Sequence, residues 1–343
     1  MIRIAQLTSF TTIAFVAPLA MLALACQPRC GFAQSVDAEF APLMKVRKLA
    51  DVEKLATERI AASATDDVAI WYLANVSAND ATKRETAIAK AEACVKASPA
   101  SAKCHHALGR MYGAAALSSG LVNGIKYASR IKEEFARAVE LEPKNFDARR
   151  DLNQFYLQAP GLAGGSVRKA IENCEAHGKI NATQAQLLRA DVHVYEKEFD
   201  KAESLLSAVK PGNDEIATRA LPQAWVGLGF AMIGDKQAAK AQILFERRLA
   251  SDMNNAMLHF GLGRAQLENN AVDAAIASLE RALKIDAKLN IHYRLGIAYQ
   301  TKGDKPRAVT AFQQFLGYAP PGKSADDARQ RIETLKIGSQ GPS

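Results

Sequence analysis

The sequence predicts an all-α solenoid of antiparallel helix hairpins, and two observations carry that expectation. The first is a spacing. Leu228-Gly229, Leu262-Gly263 and Leu295-Gly296 are 34 and 33 residues apart. Each glycine is followed at one fixed offset by an alanine (Ala241, Ala275, Ala308) and at a second by a large apolar residue (Phe245, Leu279, Phe312). A period of that length, with small residues at fixed places, marks stacked helix-turn-helix units. The second is composition. The 343 residues are 48% hydrophobic and 23% charged, ordinary values that supply a large core. Each unit of a solenoid packs only on its neighbours, so chain length sets no limit of domain size.

The N-terminal segment stands apart. Arg3 precedes an uncharged run from Ile13 to Ala25, and a short polar region ends in Gly31-Phe32-Ala33. This order reads as a secretory signal peptide over residues 1–33, cut after Ala33, which places the mature protein in the periplasm. Two alternatives stay open. Ala23-Leu24-Ala25-Cys26 is similar to a lipobox, with the lipid on Cys26, although its leucine and small residue are in reversed order. An uncleaved anchor from Ile4 to Cys26 has the length to span a bilayer, against which Thr8, Ser9, Thr11, Thr12 and Pro18 count.

Residues 34–67 carry a helical pattern and are expected to cap the solenoid. From 68 to 322 the chain divides into seven units. Unit one, 68–101, has Trp71, Ala87 and Pro99. Unit two, 102–145, has Leu108-Gly109, Tyr112, Phe135, Ala138 and Pro143. Unit three, 146–182, has Leu152, Tyr156 and Ala170. Unit four, 183–216, fits only at Ala190 and Ala202, and Arg189 stands where a leucine belongs. Unit five, 222–255, has Trp225, Leu228-Gly229, Ala241 and Phe245. Units six and seven, 256–288 and 289–322, fit throughout, with Tyr299, Phe312 and Pro320 in the last. In this pattern the chain resembles the tetratricopeptide repeat (TPR) family, of the bacterial exported type. The resemblance implies a right-handed superhelical solenoid.

The physical logic of the pattern is close approach. Small residues at the glycine and alanine places let two helices come together, and the large residues fill the remaining space. Prolines end helices at unit boundaries. Extra residues near 114–124 and 159–165 are expected as excursions of the inter-helix turns of units two and three, projecting from one edge. They offer either a docking edge or a local lid. Residues 323–343 are expected to form a capping helix opening at Ser324-Ala325-Asp326-Asp327, then a disordered tail from 337.

No catalytic motif stands out, and no cofactor or metal is expected. Gly161, Gly164 and Gly165 lack the Lys-Ser/Thr of a phosphate loop and read as a turn. His105, His259 and His292 fall at the place that Trp71 and Trp225 occupy, so packing explains them better than ligation. Cys94 and Cys104 lie across a turn between antiparallel helices. They are either bridged or small buried residues at helix contacts.

The remaining candidates lie on the inner stripe that the resemblance assigns to the first helix of each hairpin. Lys103, His106, Arg110, Arg150 and Gln154 make its first half basic and polar. Phe230, Phe260, Arg264 and Tyr293 make its second half apolar and aromatic. A groove of this kind suits a protein or peptide segment bearing acidic and apolar residues. The net charge of +8 falls to +6 once residues 1–33 are removed and is spread along the chain, so nucleic acid is not an expected partner. Membrane contact is expected only through Cys26 lipidation or a retained N-terminus. The expectation is a non-catalytic interaction scaffold of the cell envelope. A lipoprotein assembly factor for an envelope machine and, more remotely, an accessory domain of an enzyme are the alternatives.

Overall fold

The computed structural model describes residues 33–46, 48–78, 80–319 and 322–337. The signal-peptide reading of 1–33 therefore falls outside the described residues except at Ala33, and so do Pro320 and the tail from 338. Among the described residues there are 17 α-helices and no strand. In chain order they are α1 (Ala33–Lys45), α2 (Leu49–Ala62), α3 (Asp67–Ser77), α4 (Ala81–Ala97), α5 (Ala102–Ser118), α6 (Gly120–Leu141), α7 (Phe146–Gln158), α8 (Val167–Gly178) and α9 (Ala182–Tyr195). There follow α10 (Phe199–Ala208), α11 (Glu215–Gly234), α12 (Ala238–Ser251), α13 (Ala256–Glu268), α14 (Val272–Ile285), α15 (His292–Lys302), α16 (Lys305–Leu316) and α17 (Lys323–Ile337). Each odd-numbered helix up to α15 pairs with the next as a hairpin, and α17 closes the stack against α16.

Local chemistry starts the helices. Asp66, Ser101, Asn145, Asn181, Asp214 and Asn255 each accept a hydrogen bond from a backbone N–H in the first turn of α3, α5, α7, α9, α11 and α13. Each such cap is worth about 1 kcal/mol. The turns are also shared. Lys197, Lys236, Asn270 and Gly303 all adopt left-handed backbone, with φ of 61°, 62°, 60° and 85°. The next residue in each donates its N–H back to a helix carbonyl: Glu198 to His193, Gln237 to Met232, Ala271 to Gln266, and Asp304 to Tyr299. This αL closure satisfies carbonyls left free at the helix end. It recurs in unit four, where the sequence pattern is faintest.

Packing between hairpins follows from the absence of side chains. The Phe245 ring of α12 is fully buried and is wedged between α11 and α13. A Cβ on Gly229 would lie 2.2 Å from it, and one on Gly261 2.3 Å. The glycine of the repeat thus makes room for the aromatic side chain of the second helix. First helices of consecutive units touch, α3 with α5, α7 with α9, α9 with α11 and α11 with α13, which gives the solenoid its inner wall. The superhelix brings distant parts together at the surface: the Lys288 ammonium donates to the Val46 carbonyl at 2.9 Å, across 242 residues.

One expectation changes. The extra residues of unit two are not a turn excursion. Ala114, Ala115, Ala116 and Leu117 are strong helix formers, so α5 runs on to Ser118, and α6 begins at Gly120, whose φ is 77°. The insertion lengthens both helices instead. Residues 215–221, ahead of unit five, are also helical, continuous with α11 through Pro222. The second insertion does form a loop, with a 3-10 turn at Gly161–Ala163. Only glycine fits at 165, where a Cβ would lie 1.7 Å from the Ala159 carbonyl oxygen.

Candidate functional site

On α5, the three- and four-residue spacing puts Lys103, His106 and Arg110 on one face. His106 is not available there. It is buried at 2% exposure, tilted against Trp71 at 4.4 Å between ring centres and edge-on to Phe135 at 5.9 Å. Its Nε2 donates to the Asp151 carboxylate of α7 at 2.9 Å. Arg110 reaches the same carboxylate at 3.6 Å and lies 5.1 Å from the Trp71 ring centre. Lys103 is half-buried and engaged. Arg150, on α7, donates through Nε to Asp191 of α9 at 3.1 Å. Gln154 accepts from Gln158 at 2.9 Å and lines a cleft beside α5 and α6.

The expected basic half of the stripe is therefore internally neutralised. Two aspartates from neighbouring helices pair with Arg110 and Arg150, because a partly desolvated cation needs a counter-charge. A second polar seam lies beneath them, which sequence reasoning missed. Arg149 is buried and donates to the Asn173 side chain at 3.1 Å. Asn173 donates to Asn153 at 3.2 Å, and Asn153 to the Leu188 carbonyl at 3.4 Å. His177 donates to Gln184 at 2.8 Å, and Gln184 in turn to Asp214 at 3.0 Å. Cys174 lies in this seam, and burial pushes its thiol up to about 12.

The second half of the stripe behaves differently. Phe230 of α11 and Phe260 of α13 meet edge to face at 5.6 Å. The Arg264 guanidinium, also on α13, stands 5.1 Å from the Phe230 ring centre and 6.0 Å from that of Phe260. Burial, and next the like charge of Arg294 on α15, hold Arg264 below the usual arginine range, with Glu268 acting against them. Arg294 lies 5.8 Å from the Tyr293 ring centre. Among the described residues no carboxylate forms an ion pair or hydrogen bond with either arginine. Tyr293 donates its hydroxyl to Asp327 of α17 at 2.7 Å, so the closing helix reaches back to the stripe. The structure thus brings Phe230, Phe260, Arg264 and Tyr293 into one continuous region and adds Arg294, which the repeat pattern did not single out.

Metal chemistry has one candidate group among the described residues: His193, Glu196 and Glu198, whose ligand atoms lie within 4.8 Å of one another. Glu198 already accepts from His193 at 2.7 Å and from Lys201 at 2.6 Å, so its charge is compensated at a helix end. His105 is buried, with Nε2 at 3.1 Å from the Pro99 carbonyl and Nδ1 at 2.6 Å from Glu134. His292 packs on Tyr318, with ring centres 5.8 Å apart. The Cys94 and Cys104 sulfurs are bonded, with Cα atoms 5.7 Å apart, and join α4 to α5.

Models of the tetratricopeptide repeat match residues 258–289 and 292–321, where units six and seven lie. TPR repeat-containing protein PA0015 of Pseudomonas aeruginosa is 36% identical over 75 residues, covering 22% of this chain and 71% of that protein. The chain belongs to the tetratricopeptide repeat family. Among solved structures, yeast Tom70 superposes with a TM-score of 0.58 at 14% identity, covering 86% of this chain and 60% of Tom70. This chain thus spans less than two thirds of Tom70's length, and the likeness is one of fold. A tetratricopeptide repeat protein from Parabacteroides merdae gives a TM-score of 0.46 at 11% identity over 79% of this chain and 98% of its own. TPR solenoids are in general non-catalytic and serve as protein-interaction scaffolds, and this chain shares that architecture.

Proposed function

We propose that this TPR solenoid is an envelope scaffold that holds an acidic, apolar-bearing protein segment on the inner face of units five to seven. The observation that carries the reading is that Arg264, over the Phe230–Phe260 pair, and its neighbour Arg294, over Tyr293, have no ion-pair or hydrogen-bonded carboxylate among the described residues. Two adjacent guanidiniums that form no ion pair favour an incoming carboxylate, and the aromatic rings offer apolar area beside it. Export is supported by the charge and hydropathy order of residues 1–33 and by the Cys94–Cys104 bond, which persists in oxidising compartments.

The test is a peptide selection on the purified protein. Enriched sequences should carry Asp or Glu within a few residues of an aromatic or aliphatic side chain. Binding of the best peptide should weaken at least tenfold in Arg264→Gln/Arg294→Gln and with rising salt. Enrichment of basic or uncharged sequences, or full binding by the double variant, would remove the reading. Mass spectrometry of the mature N-terminus tests export: Gln34 as first residue supports a cleaved signal, and a diacylated Cys26 supports the lipoprotein.

A further inference from the structure

The lengthened α5–α6 hairpin creates a second site, beside Arg110 and Gln154 of the inner stripe and apart from the Arg264 region of units five to seven. Its ends overhang the neighbouring units, and between them and the 159–163 segment lies a cleft of about 780 Å³. The packed α5–α6 hairpin lines it through Gly113, Ala114 and Leu117 and through Ile125 and Phe135, and α7 with the segment after it lines it through Phe155 and Ala163. Leu117 is 85% exposed there, and Leu162 on the adjoining 3-10 turn is 83% exposed. Apolar area of this kind, left open along a cavity of ligand size, is suited to an apolar ligand.

The charges at the two ends differ. Arg110 is answered by Asp151 at 3.6 Å. Arg84, from α4, uses Nη1 on the Ser118 hydroxyl at 2.6 Å and Nε on the Ala78 carbonyl at 3.2 Å, both neutral acceptors. Eight residues of α5 separate the Arg110 and Ser118 ends, roughly 12 Å. The walls are helices and a closed turn, whose backbone groups are bonded internally. An extended peptide pressed on these apolar walls would have to strip water from its row of N–H and C=O groups, whereas an aliphatic chain has none to desolvate.

We propose that this cleft binds a single linear aliphatic chain with an anionic head group. The chain lies between the α5–α6 hairpin and α7 with its following segment, and the head sits on Arg84. A free carboxylate and a phosphate ester share this chemistry.

Calorimetric titration of the intact protein separates them. The probes are octanoate, decanoate and dodecanoate below their micellar concentrations, with 1-decanol and decyl phosphate. Affinity should rise by up to about fourfold for each added methylene until the cleft is filled. Decanoate should bind more tightly than 1-decanol, and the ratio of decanoate to decyl phosphate identifies the preferred head. Arg84→Gln should bring decanoate to the level of 1-decanol. Ala114→Phe should fill the cleft and weaken dodecanoate at least tenfold while circular dichroism keeps its helical amplitude. Should that variant unfold, the chain-length series on the parent protein and the Arg84→Gln comparison still decide. Equal affinity along the series, equal binding of decanoate and 1-decanol to the parent, or full binding by folded Ala114→Phe would overturn the proposal. Peptide binding at Arg264 should be unchanged in both variants, so the two sites fail separately.

Discussion

The Arg264 guanidinium carbon stands 5.1 Å from the centre of the Phe230 ring, and no carboxylate among the described residues pairs with it. Arg150, on the same inner stripe, is held instead by Asp191 at 3.1 Å. The two arginines look equivalent in the repeat pattern and differ in what they have left to offer.

That difference predicts unequal responses to neutralisation. Arg294→Gln relieves a like-charge contact on Arg264 and should change stability by no more than about 0.5 kcal/mol. Arg150→Gln leaves Asp191, 13% exposed, without its partner and should cost about 1–3 kcal/mol. Urea unfolding of both variants checks this. Equal losses would mean that Arg294 is a structural cation.

The wedge of Phe245 predicts a sharp contrast between two glycines of α11. Gly229→Ala would place a methyl group 2.2 Å from the Phe245 ring, which is fully buried, and should cost about 1–3 kcal/mol. Gly227→Ala meets nothing within 4 Å on an exposed helix face and should stabilise by about 0.5–1 kcal/mol. Thermal denaturation midpoints moving in opposite directions confirm the packing.

The disulfide closes a short loop, with a separation of 10 residues. Reducing it should lower stability by about 2–3 kcal/mol, as chain-entropy scaling gives for such a loop. Cys174 is the free thiol among the described residues and is buried, with its ionisation pushed up to about 12. Under native conditions a thiol reagent should label it only at the rate of unfolding, before or after reduction of the bridge. Rapid labelling would contradict its burial.

Stability should also fall in mild acid. Burial, with Arg149 adding a like charge, holds the His177 imidazole below the ordinary histidine value of about 6.5, while its bond to Gln184 acts the other way. Burial does the same to His292. The unfolded chain therefore takes up these protons at higher pH than the folded one. The contribution is complete above pH 6.5 and is lost as pH falls below it toward the depressed folded values. Urea midpoints at pH 7.5, 6.5 and 5.5 should decrease in that order, and His177→Gln should flatten the slope. A rise in midpoint on acidification would show that these histidines gain, rather than lose, charge stabilisation on folding.

Much of the fold was legible because its determinants lie within one repeat. Gly229 and Phe245, or Asn255 and Leu258, are close in sequence and recur at a fixed period. The turn at Lys197 shows where legibility fails: unit four keeps the backbone closure without the residues that usually advertise it, since lysine at φ 61° carries no glycine signal. The site was harder to read. His106 had the right place on the stripe, yet the Trp71 ring and Asp151 enclose it.

The sequence by itself determined the helical hairpin, its period, and the glycine and aromatic places where helices meet, because these depend on side-chain size at short separation. Only the tertiary structure decided which charges remain free. His106 meets Asp151 across 45 residues and Arg150 meets Asp191 across 41, each through the stacking of one unit on the next. Pairings at that range depend on how the superhelix rotates each unit against its neighbour, and no local pattern encodes that rotation. The same stacking leaves Arg264 and Arg294 without an ion-paired carboxylate among the described residues and opens the cleft under the lengthened α5–α6 hairpin.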